Sequence, residues 1–244
     1  IEAMKNRGVA GTHSPGILDN TVADFVMGLL IATGRRITEL NSFVKEGKWT
    51  RIDNSHLFGK DISGSTVGII GMGRIGEMVA KRCSLGFDMD VVYYNRSRKM
   101  EAEEKLGVRY VEKDELLKIS DYVVLLTPLT DETYHILSHN EFSMMKKDAI
   151  VINASRGPVI DELALIEALK EGRIAGAGLD VYEKEPMDLD NPLLKMDNVI
   201  TSPHISAGTQ KTMNALAWNA AKSMVSFLVH KKAINIIPEM KGDF

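Results

Sequence analysis

A glycine-rich turn between an apolar strand and a helix sets the architecture of this chain more narrowly than any other feature of its sequence. Gly71-Met72-Gly73-Arg74-Ile75-Gly76 is a G-x-G-x-x-G run that follows the apolar stretch Thr66–Ile70 directly and opens a helical segment, Ile75–Ser84. In that setting Gly71 permits a tight turn, Gly73 lets the backbone approach a pyrophosphate, and Gly76 lets helix pack close to strand. The helix N-terminus then offers N–H groups and the positive end of its dipole to phosphate. Dinucleotide binding is the reading this context favours, with a merely structural strand-turn-helix as the alternative.

The rest of the chain repeats the unit. Apolar runs of strand length recur at Val67–Ile70, Val91–Tyr94, Tyr122–Leu126, Ile150–Ile152, Ala175–Leu179 and Val199–Ile200, most of them separated by segments of helical period or charge. Runs without alternation are covered on both faces, which predicts the parallel sheet of a doubly wound α/β fold. Asp161 caps an expected helix in which Leu163, Ile166 and Leu169 share a face and which Gly172 ends. Two longer helices read as packing helices, one on Val22, Phe25, Val26, Leu29, Leu30 and Thr33, the other on Met213, Leu216, Ala217, Ala220, Met224, Phe227 and Leu228. The polar segment Gly47–Gly64, with Trp49 and Phe58, is one long loop, of the kind that serves function or an interface.

Composition removes several classes of function. Across 244 residues, 30 Lys and Arg stand against 33 Asp and Glu, interspersed along the chain for a net charge of −3, which argues against nucleic-acid binding. The longest apolar stretch, Phe25–Thr33, is too short to cross a bilayer and lies between Asp24 and Arg35-Arg36. Cys83 is the single cysteine, so neither an internal disulfide nor a cysteine-based zinc site is available, no metal site is expected, and a reducing cytoplasm is the expected compartment. The start, Ile-Glu-Ala-Met-Lys, lacks the features of a signal peptide and reads as the interior of a helix, so a truncated or processed chain is expected.

Candidate chemistry lies at the ends of the predicted strands. The second strand ends at Asn95, where an acid would grip a free ribose hydroxyl, and continues Arg96-Ser97-Arg98-Lys99. A neutral amide followed by cations around one hydroxyl suits a 2′-phosphate, hence NADP in preference to NAD; a solvated basic turn is the alternative. Arg156, Asp180, Glu185 and His204 each follow a strand, and ligands in open α/β sheets bind at those carboxyl ends. Taken one at a time, a surface cation, a helix cap or turn former, a solvated charge and a core histidine explain them better than a catalytic role does.

Together these segments carry a resemblance. Val67-Gly-Ile-Ile-Gly-Met-Gly-Arg-Ile-Gly76, Thr127-Pro-Leu-Thr130, Ile152-Asn-Ala-Ser-Arg-Gly157, Gly178-Leu-Asp-Val-Tyr-Glu-Lys-Glu-Pro186 and Ser202-Pro-His-Ile205 are similar to the motifs of the D-isomer-specific 2-hydroxyacid dehydrogenases, and most of all to the glyoxylate/hydroxypyruvate reductase group. The resemblance implies a Rossmann-type domain and a remnant of a second, flavodoxin-like substrate domain. It implies hydride transfer between NAD(P)H and a small 2-oxo acid, a homodimer, and Arg156, Glu185 and His204 as the catalytic set. On the cofactor side it implies Gly71, Gly73, Arg74, Ile75, Gly76, Asn95, Arg96, Ser97, Thr127, Pro128 and Ala154, with Asp180 beside the nicotinamide. The domains would be 1–18, a substrate-domain remnant; 19–212, the dinucleotide-binding domain with a dimerisation arm near 47–64; and 213–244, returning to the substrate domain.

The residue types suit that chemistry. A 2-oxo acid needs a cation for its carboxylate, which Arg156 supplies in a fork, and a proton donor for the developing alkoxide, which His204 supplies. Glu185 would accept the other imidazole N–H and fix its tautomer. Thr127 stands where many members of the family have His, and Ser206 replaces the usual Gly, both near the expected cofactor. A non-catalytic dinucleotide-sensing module of the corepressor type is the alternative, and a formate dehydrogenase fits less well because those enzymes pair the histidine with Gln.

Overall fold

The computed structural model describes residues 1–53 and 55–242; Asn54 of the expected arm and Asp243 and Phe244 of the expected C-terminal segment lie outside the described residues. The apolar runs form a parallel sheet of β1 (Thr66–Ile70), β2 (Asp90–Tyr94), β3 (Arg109–Tyr110), β4 (Tyr122–Leu125), β5 (Ile150–Asn153), β6 (Gly176–Leu179) and β7 (Val199–Thr201). Their spatial order is β3-β2-β1-β4-β5-β6-β7, with every neighbouring pair parallel. Between and around them run α1 (Glu2–Lys5), α2 (Asp19–Gly34), α3 (Ile37–Lys45), α4 (Arg74–Phe87), α5 (Met100–Leu106), α6 (Lys113–Ile119), α7 (His139–Met144), α8 (Glu162–Lys170) and α9 (Gln210–Leu228). Helices on both faces of the sheet explain why β4 is buried at every position and shows no alternation.

The chain divides into two compact units, Ile1–Thr21 with Ala207–Phe244, and Val22–Ser206. In the larger unit Val22, Val26, Leu29 and Leu30 of α2 are buried, as their spacing predicts. Asp161 caps α8 through Ala164 N–H at 3.2 Å, and Gly172, at φ +63°, follows its end. Leu163, however, is exposed and does not share the inward face with Ile166 and Leu169. The buried arc of α8 runs through Ala164, Leu165, Ile166, Ala168 and Leu169, and at about 100° per residue Leu163 falls roughly opposite its centre. Strand β3 has no counterpart among the apolar runs of the sequence. It is a two-residue edge strand whose only signature is its register with Val92 and Tyr93.

In the smaller unit the N-terminal residues pair with the C-terminal ones: His13 N–H donates to Asn235 O at 2.9 Å, and Ile237 N–H to Gly11 O at 3.0 Å. Asn219 of α9 donates to Ser14 Oγ at 2.9 Å. The predicted apolar face of α9 is not its covered face, since Met213, Met224 and Leu228 are exposed while Thr212 and Ser223 are buried. Helical period identifies a stripe, but a stripe buries only against a partner, and within this unit the partner of α9 is polar.

Candidate active site

The strand order reverses between β1 and β4, and a crevice opens outside the carboxyl ends of strands at such a point. The glycine turn sits there. Gly71 has φ +107°, and a Cβ on it would lie 2.6 Å from the carbonyl carbon of Leu126, so only glycine lets this turn lie against the end of β4. A Cβ on Gly76 would collide with the Gly71 carbonyl oxygen, which presses the first turn of α4 onto the loop. Gly73 differs from both: a Cβ there meets nothing within 4 Å, and as N-cap of the 14-residue α4 it provides no side-chain cap. An uncapped helix start, with Arg74 and Ile75 in its first turn and open space over Gly73, fits a dinucleotide diphosphate.

Gly71 N–H donates to Tyr94 O at 3.0 Å, which brings the end of β2 against the turn. Beyond it Asn95 Nδ2 donates to Ser97 O at 2.9 Å and closes the loop on itself. Arg96 is exposed and takes part in no hydrogen bond or ion pair among the described residues. Arg98 is committed instead: its Nε donates to Glu103 Oε1 at 3.1 Å, and its guanidinium lies 5.8 Å from the centre of the Tyr110 ring. Of the two arginines in the run of cations read from the sequence, Arg96, beside the Ser97 hydroxyl, is therefore the one not already paired. Thr127 and Pro128 follow β4, the former buried and the latter exposed, and Ala154 follows β5 half-buried.

Three loops beyond β5, β6 and β7 carry the remaining candidates. Buried Asn153 folds the first of them, accepting from Ser155 N–H at 3.0 Å and donating to Arg156 O at 3.0 Å. A Cβ on Gly157 would overlap the Tyr182 carbonyl, so this loop lies directly on the one after β6 and holds Arg156 beside it. The Arg156 side chain is exposed, with Nη1 donating to Ser155 O at 2.6 Å. His204 and Glu185 form a pair, Nδ1 to Oε2 at 2.7 Å, and Glu185 Oε1 also accepts from Tyr182 N–H at 3.0 Å. His204 Nε2 has no hydrogen-bond partner among the described residues. An apolar cavity of about 490 Å³, lined by Pro186, Met187, Leu194 and Pro203, flanks the pair.

His204 takes a left-handed backbone at φ +52°, uncommon for a non-glycine residue. Asp180 explains how that turn is held. Its fully buried carboxylate accepts from Ser202 Oγ at 2.6 Å, Ile205 N–H at 2.9 Å and Ser206 N–H at 2.8 Å, bracketing His204 on both sides. The Tyr182 hydroxyl adds a second brace, donating to Ser202 O at 2.9 Å and accepting from Ser202 N–H at 3.0 Å. Burial pushes that phenol up to about 12, so it remains a donor throughout the physiological range. Sequence reading missed Asn153, Tyr182 and Ser202; each acts on loop backbone, and no spacing rule announces such contacts. Cys83, by contrast, takes no part in this site: it is fully buried, and burial raises its thiol to about 12.

Comparison with known proteins gives a consistent result. Residues 27–206 match the profile of the family described as D-isomer specific 2-hydroxyacid dehydrogenase, NAD binding domain. The chain is 46% identical over 238 residues to glyoxylate/hydroxypyruvate reductase B of Enterobacter sp. (strain 638), covering 96% of this chain and 74% of that protein. It is 44% identical over 247 residues to the glyoxylate reductase of Korarchaeum cryptofilum, covering 98% of this chain and 74% of the other. Among solved structures, the TT0316 protein from Thermus thermophilus superimposes with a TM-score of 0.91 at 38% identity, over 97% of this chain and 74% of that one.

Proposed function

Because the chain belongs to the D-isomer-specific 2-hydroxyacid dehydrogenase family, we propose that it reduces small 2-oxo acids of the glyoxylate and hydroxypyruvate type with NADPH as the preferred cofactor. The observation that carries this reading is the Glu185–His204 pair at 2.7 Å, held at the strand ends in the same parallel sheet as the glycine turn. When bound, the nicotinamide supplies the hydride for the ketone carbon. Arg156 offers forked N–H donors to the substrate carboxylate and polarises the ketone. With Nδ1 occupied by Glu185, His204 has Nε2 left to deliver a proton to the ketone oxygen as negative charge builds there. Hydride at carbon and proton at oxygen complete the 2-hydroxy acid, and the reverse path oxidises it. Asp180 serves this chemistry by fixing the loop that presents His204.

The preference for NADPH rests on Asn95 in place of an acid and on exposed Arg96, which takes part in no hydrogen bond or ion pair among the described residues. Trp49, Ile52 and Phe58 are exposed on the 47–64 segment and support its reading as the arm of a homodimer. Among the described residues no helix is long and apolar enough to cross a membrane. The single cysteine, Cys83, suits a reducing compartment, and on that ground we assign the enzyme to the cytoplasm. Two variants of the intact protein test the mechanism. General acid catalysis contributes about 10²–10⁴ in rate, so His204→Ala should lower kcat by that order, and Arg156→Ala, which removes the cation for the substrate carboxylate, should lower kcat/KM by at least about tenfold, while dinucleotide Kd stays within about threefold in both. A His204→Ala enzyme at near-parental kcat would refute the assignment.

A further inference from the structure

We propose that His135 is a positioning residue which ties the loop carrying Arg156 to the loop carrying Glu185, an inference that rests on the reductase reading. His135 follows the Thr127-Pro-Leu-Thr130 segment, away from the residues assigned above. Its backbone N–H donates to Pro158 O at 2.9 Å, two residues beyond Arg156, and Leu137 N–H and O bond to Val159 and Asp161 at 3.3 and 2.9 Å. Its ring reaches the other loop: Nε2 lies 2.6 Å from Glu183 Oε1, two residues before Glu185. On the opposite edge Nδ1 lies 3.8 Å from Asp161 Oδ2, and the ring stacks on Tyr134 at 3.9 Å. Glu183 and Glu162 then exchange backbone-to-carboxylate bonds at 3.2 and 3.4 Å, so the contact extends into the start of α8.

His135, Asp161 and Glu183 offer ligand atoms within 4.8 Å of one another, a spacing that also suits a cation. The two ring nitrogens, however, face different carboxylates from opposite edges, so the imidazole bridges two loops. Burial works against the Asp161 carboxylate, but the Ala164 amide, the Ser138 hydroxyl and the His135 ring outweigh it and hold its carboxyl below the usual range. His135 also has φ +50°, a conformation that Asn adopts at least as readily as His. Backbone demand therefore does not explain a histidine here; the reach to Glu183 does.

That difference supplies the test, because Gln places its amide nitrogen near the position of His Nε2, whereas Asn reaches only as far as Nδ1. In the intact protein His135→Asn should lower kcat about tenfold, with KM for glyoxylate and Kd for NADPH within about twofold, while His135→Gln should stay within about threefold of parental kcat. The Tyr182 amide, which donates to Glu185 Oε1, should exchange hydrogen faster in the Asn variant than in the Gln variant. Parental kcat and exchange in His135→Asn, or a Gln variant more impaired than the Asn variant, would overturn the proposal. A parent protein that reduces no 2-oxo acid refutes the functional reading, and the order of Tyr182 exchange rates then decides on His135 by itself.

Discussion

Glu185 accepts two hydrogen bonds, one from the Tyr182 amide and one from the His204 ring. Glutamine has a single carbonyl oxygen for those two donors and no charge to offer the ring. A hydrogen bond to a charged group is worth about 1.5–3 kcal/mol, so Glu185→Gln should lower kcat by roughly ten- to a hundredfold. Because the side chain is partly exposed, Tm should barely move; parental kcat in this variant would remove Glu185 from the mechanism. The same magnitude applies at the cofactor turn, where one contact from Arg96 to a 2′-phosphate gives about ten- to more than a hundredfold preference for NADPH. Asn95→Asp with Arg96→Ala should reverse the ratio of kcat/KM for the two cofactors, and an unmoved ratio would mean that the turn is only a solvated surface. Residue type and order made these candidates legible in the sequence. What the sequence hid is which candidates are already occupied: Arg98 by Glu103, five residues on, and Asp180 by amides that face it only once the loop after β7 has turned left-handed at His204.

The three motif glycines belong to the junction of β1 and α4, and the structure gives them unequal roles. Gly71→Ala puts a Cβ at φ +107° against β4 and should destabilise the fold by about 1–3 kcal/mol. Gly73 has extended backbone, φ −87° and ψ −168°, and open space where a side chain would go. Gly73→Val should therefore cost at most about 1 kcal/mol through poorer capping, yet fill the space proposed for the diphosphate and weaken dinucleotide binding at least tenfold. Thermal denaturation and dinucleotide titration separate the two effects, and parental affinity in Gly73→Val would place the diphosphate elsewhere. Strand position was readable because buried parallel strands are continuous apolar runs, as Tyr122–Leu125 illustrates. Arg109–Tyr110 was not readable, since an edge pairing of two residues leaves no pattern, and Leu163 shows that three apolar residues in a helix do not by themselves define its inner face.

The molecule as a whole joins a parallel sheet unit to a smaller unit in which the N-terminal residues and α9 meet. The sheet unit sets its strand ends side by side, and three short loops at those ends carry Arg156, Glu185 and His204. The chain spans about three quarters of the length of the reductases it matches, and α9 presents Met213, Met224 and Leu228 of its predicted stripe to solvent. Sequence period foresaw that apolar stripe, whereas its exposure depends on what lies against it. Steady-state oxidation of NADPH by the intact protein, with glyoxylate, hydroxypyruvate and larger 2-oxo acids offered in turn and the product identified, decides between a reductase and a dinucleotide-binding module. The expected result is stoichiometric conversion to the 2-hydroxy acid, of D configuration wherever C2 is stereogenic, lost in His204→Ala; tight dinucleotide binding by the parent protein with no 2-oxo acid consumed would contradict it.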